Sequence, residues 1–310
     1  MSLDPTQFLG LPSPGIEHAD ILLLPTPLEK TVSYGRGTGG GPAAIIAASL
    51  QVETFDEETL LEFAESPRLH TLPPLQLEGT IEDCLTTISD YVKCLPHDKF
   101  LLALGGEHTA TLGLLSGLAA RTAAGFDFSE LTIVQLDAHA DLAERLDDGL
   151  AFSHGTVMRR LWEKGCRLVQ IGVRSLNSDE YKLITTAPRI ATFFAHCLEE
   201  KWPLILETLA GLKGLVYLSI DLDALDVSLM PSTGTPLPGG LSWRQTMELI
   251  HVLTANPSIR LIAADLVEYV PSPTSPGSDP TAARLAMKLM AWWWKGRKGG
   301  AGWHSGGLKA

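Results

Sequence analysis

The chain is poor in cysteine: it has four in 310 residues, Cys84, Cys94, Cys166 and Cys197, with no CxxC spacing. That excludes a disulfide framework and a cysteine-built zinc site, and it fits free thiols in a reducing compartment. Charge is sparse at 19% of residues, and cations are the scarcer sign, 24 Lys plus Arg against 36 Asp plus Glu, for a net charge of −12. Without clustered cations a phosphate-backbone partner has nothing to hold, so no nucleic acid is expected, whereas a cationic ligand suits the balance. No stretch of 18 uncharged apolar residues occurs, so no membrane span is expected. The first ten residues lack the basic and apolar regions of a secretory signal, and a cytoplasmic location is expected. Internal repeats and long linkers are also missing.

What is present is enough apolar material, 45% of residues, to build a sizeable core, which rules out a disordered chain. Short apolar runs at 21–24, 100–104, 131–136, 168–172, 215–220 and 261–266 read as strands. Helical patterns at 42–50, 109–121, 156–164, 179–184, 203–210, 242–254 and 281–293 fall between and after them. This alternation, with strands apolar throughout, predicts an α/β fold: a three-layer αβα sandwich around a central, mostly parallel sheet. One domain is expected over 1–294, then a flexible Gly- and Lys-rich tail over 295–310. Trp292, Trp293 and Trp294, just before it, are expected to pack on the body or on another subunit. A glycine-dense loop at 35–41 leads into Pro42 at a helix start, and the Pro-rich stretch 65–79 reads as irregular.

Three segments place acids and histidines where predicted strands end, the side on which open parallel sheets bind ligands. They are Gly105-Gly106-Glu107-His108, Asp137-Ala138-His139-Ala140-Asp141, and Asp221-Leu222-Asp223. In extended chain, residues two apart point the same way, so Asp137, His139 and Asp141 can converge, as can Asp221 and Asp223. Strands about 4.8 Å apart bring both sets to one site. Four aspartates in a cleft repel one another unless cations hold them; two divalent ions balance their charge, and His108 and His139 complete the set. Oxygen and imidazole donors favour Mn²⁺ over a structural zinc, with Zn²⁺, Ni²⁺, Co²⁺ or iron as substitutes. Such a pair can make a water into hydroxide at neutral pH.

The segments GGEHT (105–109), DAHAD (137–141), SHGT (153–156) and SIDLDALD (219–226) together resemble the ureohydrolases, the arginase and agmatinase family. Further stretches at 31–45, 232–242 and 265–271 extend the resemblance over most of the chain. It implies the arginase/deacetylase-like fold and two Mn²⁺ per subunit. His108, Asp137, Asp141 and Asp221 would bind one ion and Asp137, His139, Asp221 and Asp223 the other. It further implies hydroxide attack on a guanidinium carbon, a proton passed to the leaving amine through Asp141, His154 as the loop histidine that shuttles protons, and Glu268 as the carboxylate that grips the guanidinium. A homo-trimer or homo-hexamer is expected on the same ground. A guanidinium, with a pKa of about 13.8, stays charged and delocalised, so holding it flat by a bidentate carboxylate beside a nucleophile is sound chemistry. Glu107, Thr109 and Val227 stand where many members have Asp, Ser and Pro, and Asp226 reads as a turn residue.

The loop from Leu142 to Ser153 lacks the polar pattern with which arginases hold an amino-acid head group, and it is similar to agmatinase loops. Glu144, Asp147 and Asp148 suit a distal ammonium. The expected reaction is therefore agmatine to putrescine plus urea. Other members of the family, acting on guanidinobutyrate, guanidinopropionate, formiminoglutamate or guanidine, stay open as alternatives, with arginase behind them. Outside enzymes, the alternative is a metal-binding scaffold without turnover, although none of the six ligands is missing. A metallophosphoesterase would need a GNH[DE] segment, which the chain lacks.

Overall fold

The computed structural model describes residues 4–121, 125–146, 149–272 and 277–298. Its sheet is built from β1 (Ile21–Thr26), β4 (Leu69–Thr71), β5 (Phe100–Gly105), β6 (Leu131–Leu136), β7 (Arg167–Val173), β8 (Ile190–Phe194), β9 (Gly214–Asp221) and β10 (Ile259–Val267). The order is β4-β1-β5-β10-β9-β6-β7-β8, and every pairing is parallel. A small antiparallel hairpin, β2 (Phe55–Asp56) with β3 (Leu61–Glu62), stands apart.

Side chains alternate across the sheet, so each face has its own apolar layer. On one face Leu23, Leu102, Val134 and Leu218 pack with α1 (Gly41–Ser49), α6 (Leu198–Ala210), α7 (Trp243–Ala255) and α8 (Ser278–Arg297). On the other, Leu22, Leu101, Ile133 and Leu168 meet α2 (Ile81–Cys94), α3 (Ala110–Ala119) and α4 (Val157–Glu163), with α5 (Ser178–Thr186) at the margin. This is the expected αβα sandwich.

Several local expectations change. Helix α2 is amphipathic and starts on a capping box, Thr80 with Asp83, a signal the sequence reading passed over. The Pro-rich stretch 65–79 contributes the edge strand β4, and β8 forms the other edge. Helix α6 begins at Leu198, so Pro203 lies inside it. Helix α8 continues to Arg297, so the first residues of the expected tail are helical; 299–310 lie outside the described residues. Trp292 and Trp294 are buried on the body, and Trp293 stacks on Phe100 with ring centroids 4.4 Å apart. The four cysteines are free, and among the described residues no helix is long and apolar enough to cross a membrane.

Candidate metal centre and active site

Four neighbouring strands, β5, β10, β9 and β6, end together. Leu104 pairs with Leu266, Leu266 with Ile220, and Ile220 with Leu136, so the next residues, Asp221 and Asp137, emerge at one level. Glu268 follows β10 directly, and His108 follows β5 after a tight turn. The turn requires glycine at position 106: a Cβ there would lie 2.0 Å from the Leu28 carbonyl oxygen. The Gly106 N–H donates to Thr26 and its carbonyl accepts from Glu268 N–H at 2.8 Å, tying three segments at the site.

The candidate ligands meet. Carboxylate oxygens of Asp141, Asp137 and Asp221 stand 2.9, 3.2 and 3.7 Å from His108 Nδ1. His139 Nδ1 is 3.0 Å from Asp223 and 3.6 Å from Asp137. Two triads result, His108-Asp137-Asp141 and Asp137-His139-Asp223, with Asp137 in both; Asp221 lies beside the first. The convergence is not the extended-chain alternation expected from spacing. Asp141 takes a left-handed backbone, φ 53°, and Asp223 sits in the 3-10 turn Leu222–Ala224, its N–H bonded to the Asp221 carboxylate at 2.9 Å. Glu268, φ 63°, is the second left-handed residue at the site, a conformation that a non-glycine keeps only when its surroundings impose it.

The electrostatics show what this cluster asks for. Burial would raise Asp137, but His108 and His139 hold it below the usual carboxylate range. Burial and the charge of Asp137 push Asp141 up to about 7; burial with Asp223, Asp137 and Glu268 drives Asp221 well above its ordinary value. Two imidazoles cannot neutralise four carboxylates packed this tightly, and two dications would.

Hydrogen bonding gives an independent test of fit. Asp265, fully buried, accepts from Thr111, Tyr217 and Ser219 at 2.6–2.7 Å. The Ser219 proton is thus committed to Asp265, so at 2.9 Å from His108 Nε2 the hydroxyl can only accept an N–H. Nδ1 faces the carboxylates of Asp137 and Asp141; burial would lower the ring, but these two carboxylates push it well above its ordinary range, so Nδ1 carries a proton at the position a cation would take. An imidazole fixed from behind at Nε2, with Nδ1 aimed among carboxylates, is a metal ligand's arrangement once an ion displaces that proton.

Asp137 is fixed in the same way. Gln135 Nε2 donates to it at 2.6 Å, Gln170 Nε2 donates to Gln135 at 2.6 Å, and Thr192 donates to Gln170 at 2.8 Å. Asp265, Ser219, Gln135, Gln170 and Thr192 occupy one register row across five strands, two residues below Asp137 and Asp221 and on the same face. The sequence reading missed this row. Its signal was a single polar residue inside each of several apolar strand runs.

The candidate ligands His108, His139, Asp141, Asp221 and Asp223, with His154 and Glu268, line one cavity of about 340 Å³, with Tyr34, Leu146, Leu176 and Glu180 on its walls. Glu268 accepts from the His108 N–H at 2.7 Å, and burial pushes its carboxyl up to about 8 against the pull of that bond. His154 stands in the loop wall, bonded to Ser33 at 2.8 Å. Glu180, also unforeseen, accepts from Leu142 N–H at 2.9 Å and fixes the start of that loop. Arg174 laces the opposite wall through the carbonyls of Asp223 and Leu237 at 2.6 and 2.9 Å. Asp226 is the expected turn residue, accepting from Ser228, Gly239 and Gly240. Glu144 is exposed, while Asp147 and Asp148 lie outside the described residues. A larger cavity, about 960 Å³, opens at the opposite ends of β5 and β10 and contains none of these groups.

Comparison with known proteins identifies the family of the chain. Residues 19–292 match the model of the arginase family. The chain is 36% identical over 295 residues to the N(1)-aminopropylagmatine ureohydrolase of Thermus thermophilus, covering 93% of this chain and 94% of that protein. It is 29% identical over 285 residues to the agmatinase of Pyrococcus horikoshii, covering 91% and 95%. The crystal structure of agmatine ureohydrolase of Thermoplasma volcanium superposes with a TM-score of 0.79 over 92% of this chain and 93% of that one, at 24% identity, a likeness of fold.

Proposed function

The chain belongs to the arginase family of ureohydrolases, and on that footing we propose that it releases urea from a linear guanidino-amine, with N(1)-aminopropylagmatine as the preferred substrate. The observation that carries the reading is the pair of His/Asp triads sharing the buried Asp137, with their other members lining one cavity with Glu268. The choice of amine is supported by identities of 33% and 36% to two N(1)-aminopropylagmatine ureohydrolases, against 29% and 30% to agmatinases; a third N(1)-aminopropylagmatine ureohydrolase, of Thermococcus kodakarensis, stands level with the agmatinases at 30%. Agmatine, the substrate expected from the loop sequence, is the second reading.

Asp137 and Asp221 would hold both ions, with His108 and Asp141 completing one set of ligands and His139 and Asp223 the other. Two divalent cations, manganese in our reading, supply when bound a water acidic enough to attack at neutral pH. Glu268 receives the guanidinium, whose positive charge restores the carboxylate that burial disfavours, and holds the plane in a fixed orientation. Asp141 hands a proton to the departing amine, and His154 exchanges protons between the cavity and solvent. A cytoplasmic homo-oligomer, a single domain that runs through the end of α8 at Arg297, and no nucleic-acid partner complete the proposal.

The test is urea release with Mn²⁺ or Ni²⁺ across N(1)-aminopropylagmatine, agmatine, arginine and 4-guanidinobutyrate. The first should give the highest kcat/KM; faster turnover of either carboxylate-bearing compound would overturn the assignment.

A further inference from the structure

We infer that Glu107 is a positioning residue for His154, acting through Thr31 to fix which ring nitrogen carries the proton. The inference rests on the proposed role of His154 as proton carrier. Glu107 lies one residue before His108, is fully buried, and turns away from the candidate ligands toward the loop over the cavity. Its Oε2 accepts from the Lys30 and Thr31 N–H groups at 2.7 and 2.6 Å, and its Oε1 accepts the Thr31 hydroxyl proton at 2.8 Å.

That last bond decides the rest. The only proton on Thr31 Oγ1 is committed to an acceptor-only carboxylate, so toward every other neighbour Oγ1 presents lone pairs. It accepts the His154 backbone N–H at 3.2 Å, stands 3.3 Å from the Thr109 hydroxyl, which must be the donor of that pair, and faces His154 Nδ1 at 3.5 Å. A bare Nδ1 would set lone pair against lone pair, so the ring carries its proton on Nδ1. Nε2 is then the basic nitrogen, and it takes a hydrogen bond from the exposed Ser33 hydroxyl at 2.8 Å. Burial holds the His154 ring below its usual range, which keeps it neutral near pH 7 and ready to accept. Protons therefore enter and leave through Nε2 and Ser33, and the Nδ1 side is closed.

The experiment reads the ring directly. Nitrogen-15 spectra of histidine-labelled, full-length, manganese-free protein, assigned by comparison with His154→Asn, should show His154 as the Nδ1–H tautomer. Thr31→Val and Glu107→Gln should shift it toward Nε2–H. With manganese and the best urea-releasing substrate, both should lower kcat by tenfold or more while KM moves less than threefold. Thr31→Ser, which returns the hydroxyl, should restore both the tautomer and most of kcat. Should Glu107→Gln not fold, the Thr31 pair decides alone. An Nε2–H ring in the unmodified protein, an unmoved ring in Thr31→Val, a shifted ring with unchanged kcat, or a Thr31→Ser protein that behaves like Thr31→Val would each overturn the inference. If no guanidino compound yields urea, the proposed function fails, and the tautomer spectra still judge the Glu107 link on their own.

Discussion

The floor of the cavity and its mouth are built on different principles. The candidate ligands of the floor stand at or just beyond the ends of central parallel strands, and two of them are backed by side chains locked into the sheet. Asp265 and Ser219 hold His108, and Gln135, Gln170 and Thr192 hold Asp137, all buried or half-buried and in register. At the mouth, loops are held by loops and by the first turn of α5: Glu107 holds Thr31, Thr31 holds His154, Glu180 of α5 holds Leu142, and Tyr34 stands 83% exposed. A site that must not move is placed on strands, and one that must admit and discriminate is placed on segments that can be replaced without disturbing the sheet.

Substitutions on the two sides should separate this way. The largest effect belongs to Asp137→Ala, which removes the ligand common to both triads: urea release should fall to background and calorimetry should show loss of tight manganese binding. Chelation of the unmodified protein should give the same loss, reversed by adding the ion back. Next, His154→Asn at the mouth should lower kcat by about 10²–10⁴-fold, the span of general acid–base catalysis, with manganese affinity unchanged. Weakened metal binding in that variant would erase the distinction between the two regions. Asp265→Asn, below the floor and out of reach of substrate, should weaken manganese affinity by about 10–100-fold, the cost typical of removing a ligand's support. The smallest effect is expected from Tyr34→Ala: a change of a few-fold in the kcat/KM ratio between N(1)-aminopropylagmatine and agmatine, with an unaltered melting temperature because the ring is exposed.

The same division explains what could be read from the chain. Strand ends followed by DAHAD or SIDLD announce themselves because apolar runs stop abruptly at charged residues, so the sheet and the convergence of the six candidate ligands were legible. The backbone route was not: Asp141 and Asp223 reach the centre through a left-handed residue and a 3-10 turn that spacing alone does not encode. The supporting row was half legible, since Gln135, Gln170, Ser219 and Asp265 interrupt apolar strands, but pairing them requires the strand order. Helix α2 carried a Thr80/Asp83 cap and a clear apolar stripe, while β4 hid in a Pro-rich stretch because an edge strand of three residues has little periodicity to show. The mouth was least legible. Thr31 and Glu107 are 76 residues apart and meet only after the fold is complete.

Gly35 and Gly234, on opposite lips of the cavity, touch backbone to backbone. A Cβ on Gly35 would lie 2.7 Å from both the Cα and the carbonyl oxygen of Gly234, and the Gly35 N–H donates to that oxygen at 3.2 Å. The aperture is therefore gauged by two peptide planes with no side chain between them, and one methyl group is enough of a wedge to spread it. An alanine at Gly35 becomes the smallest available tool for widening the entrance toward bulkier amines while leaving every charged group of the interior in place.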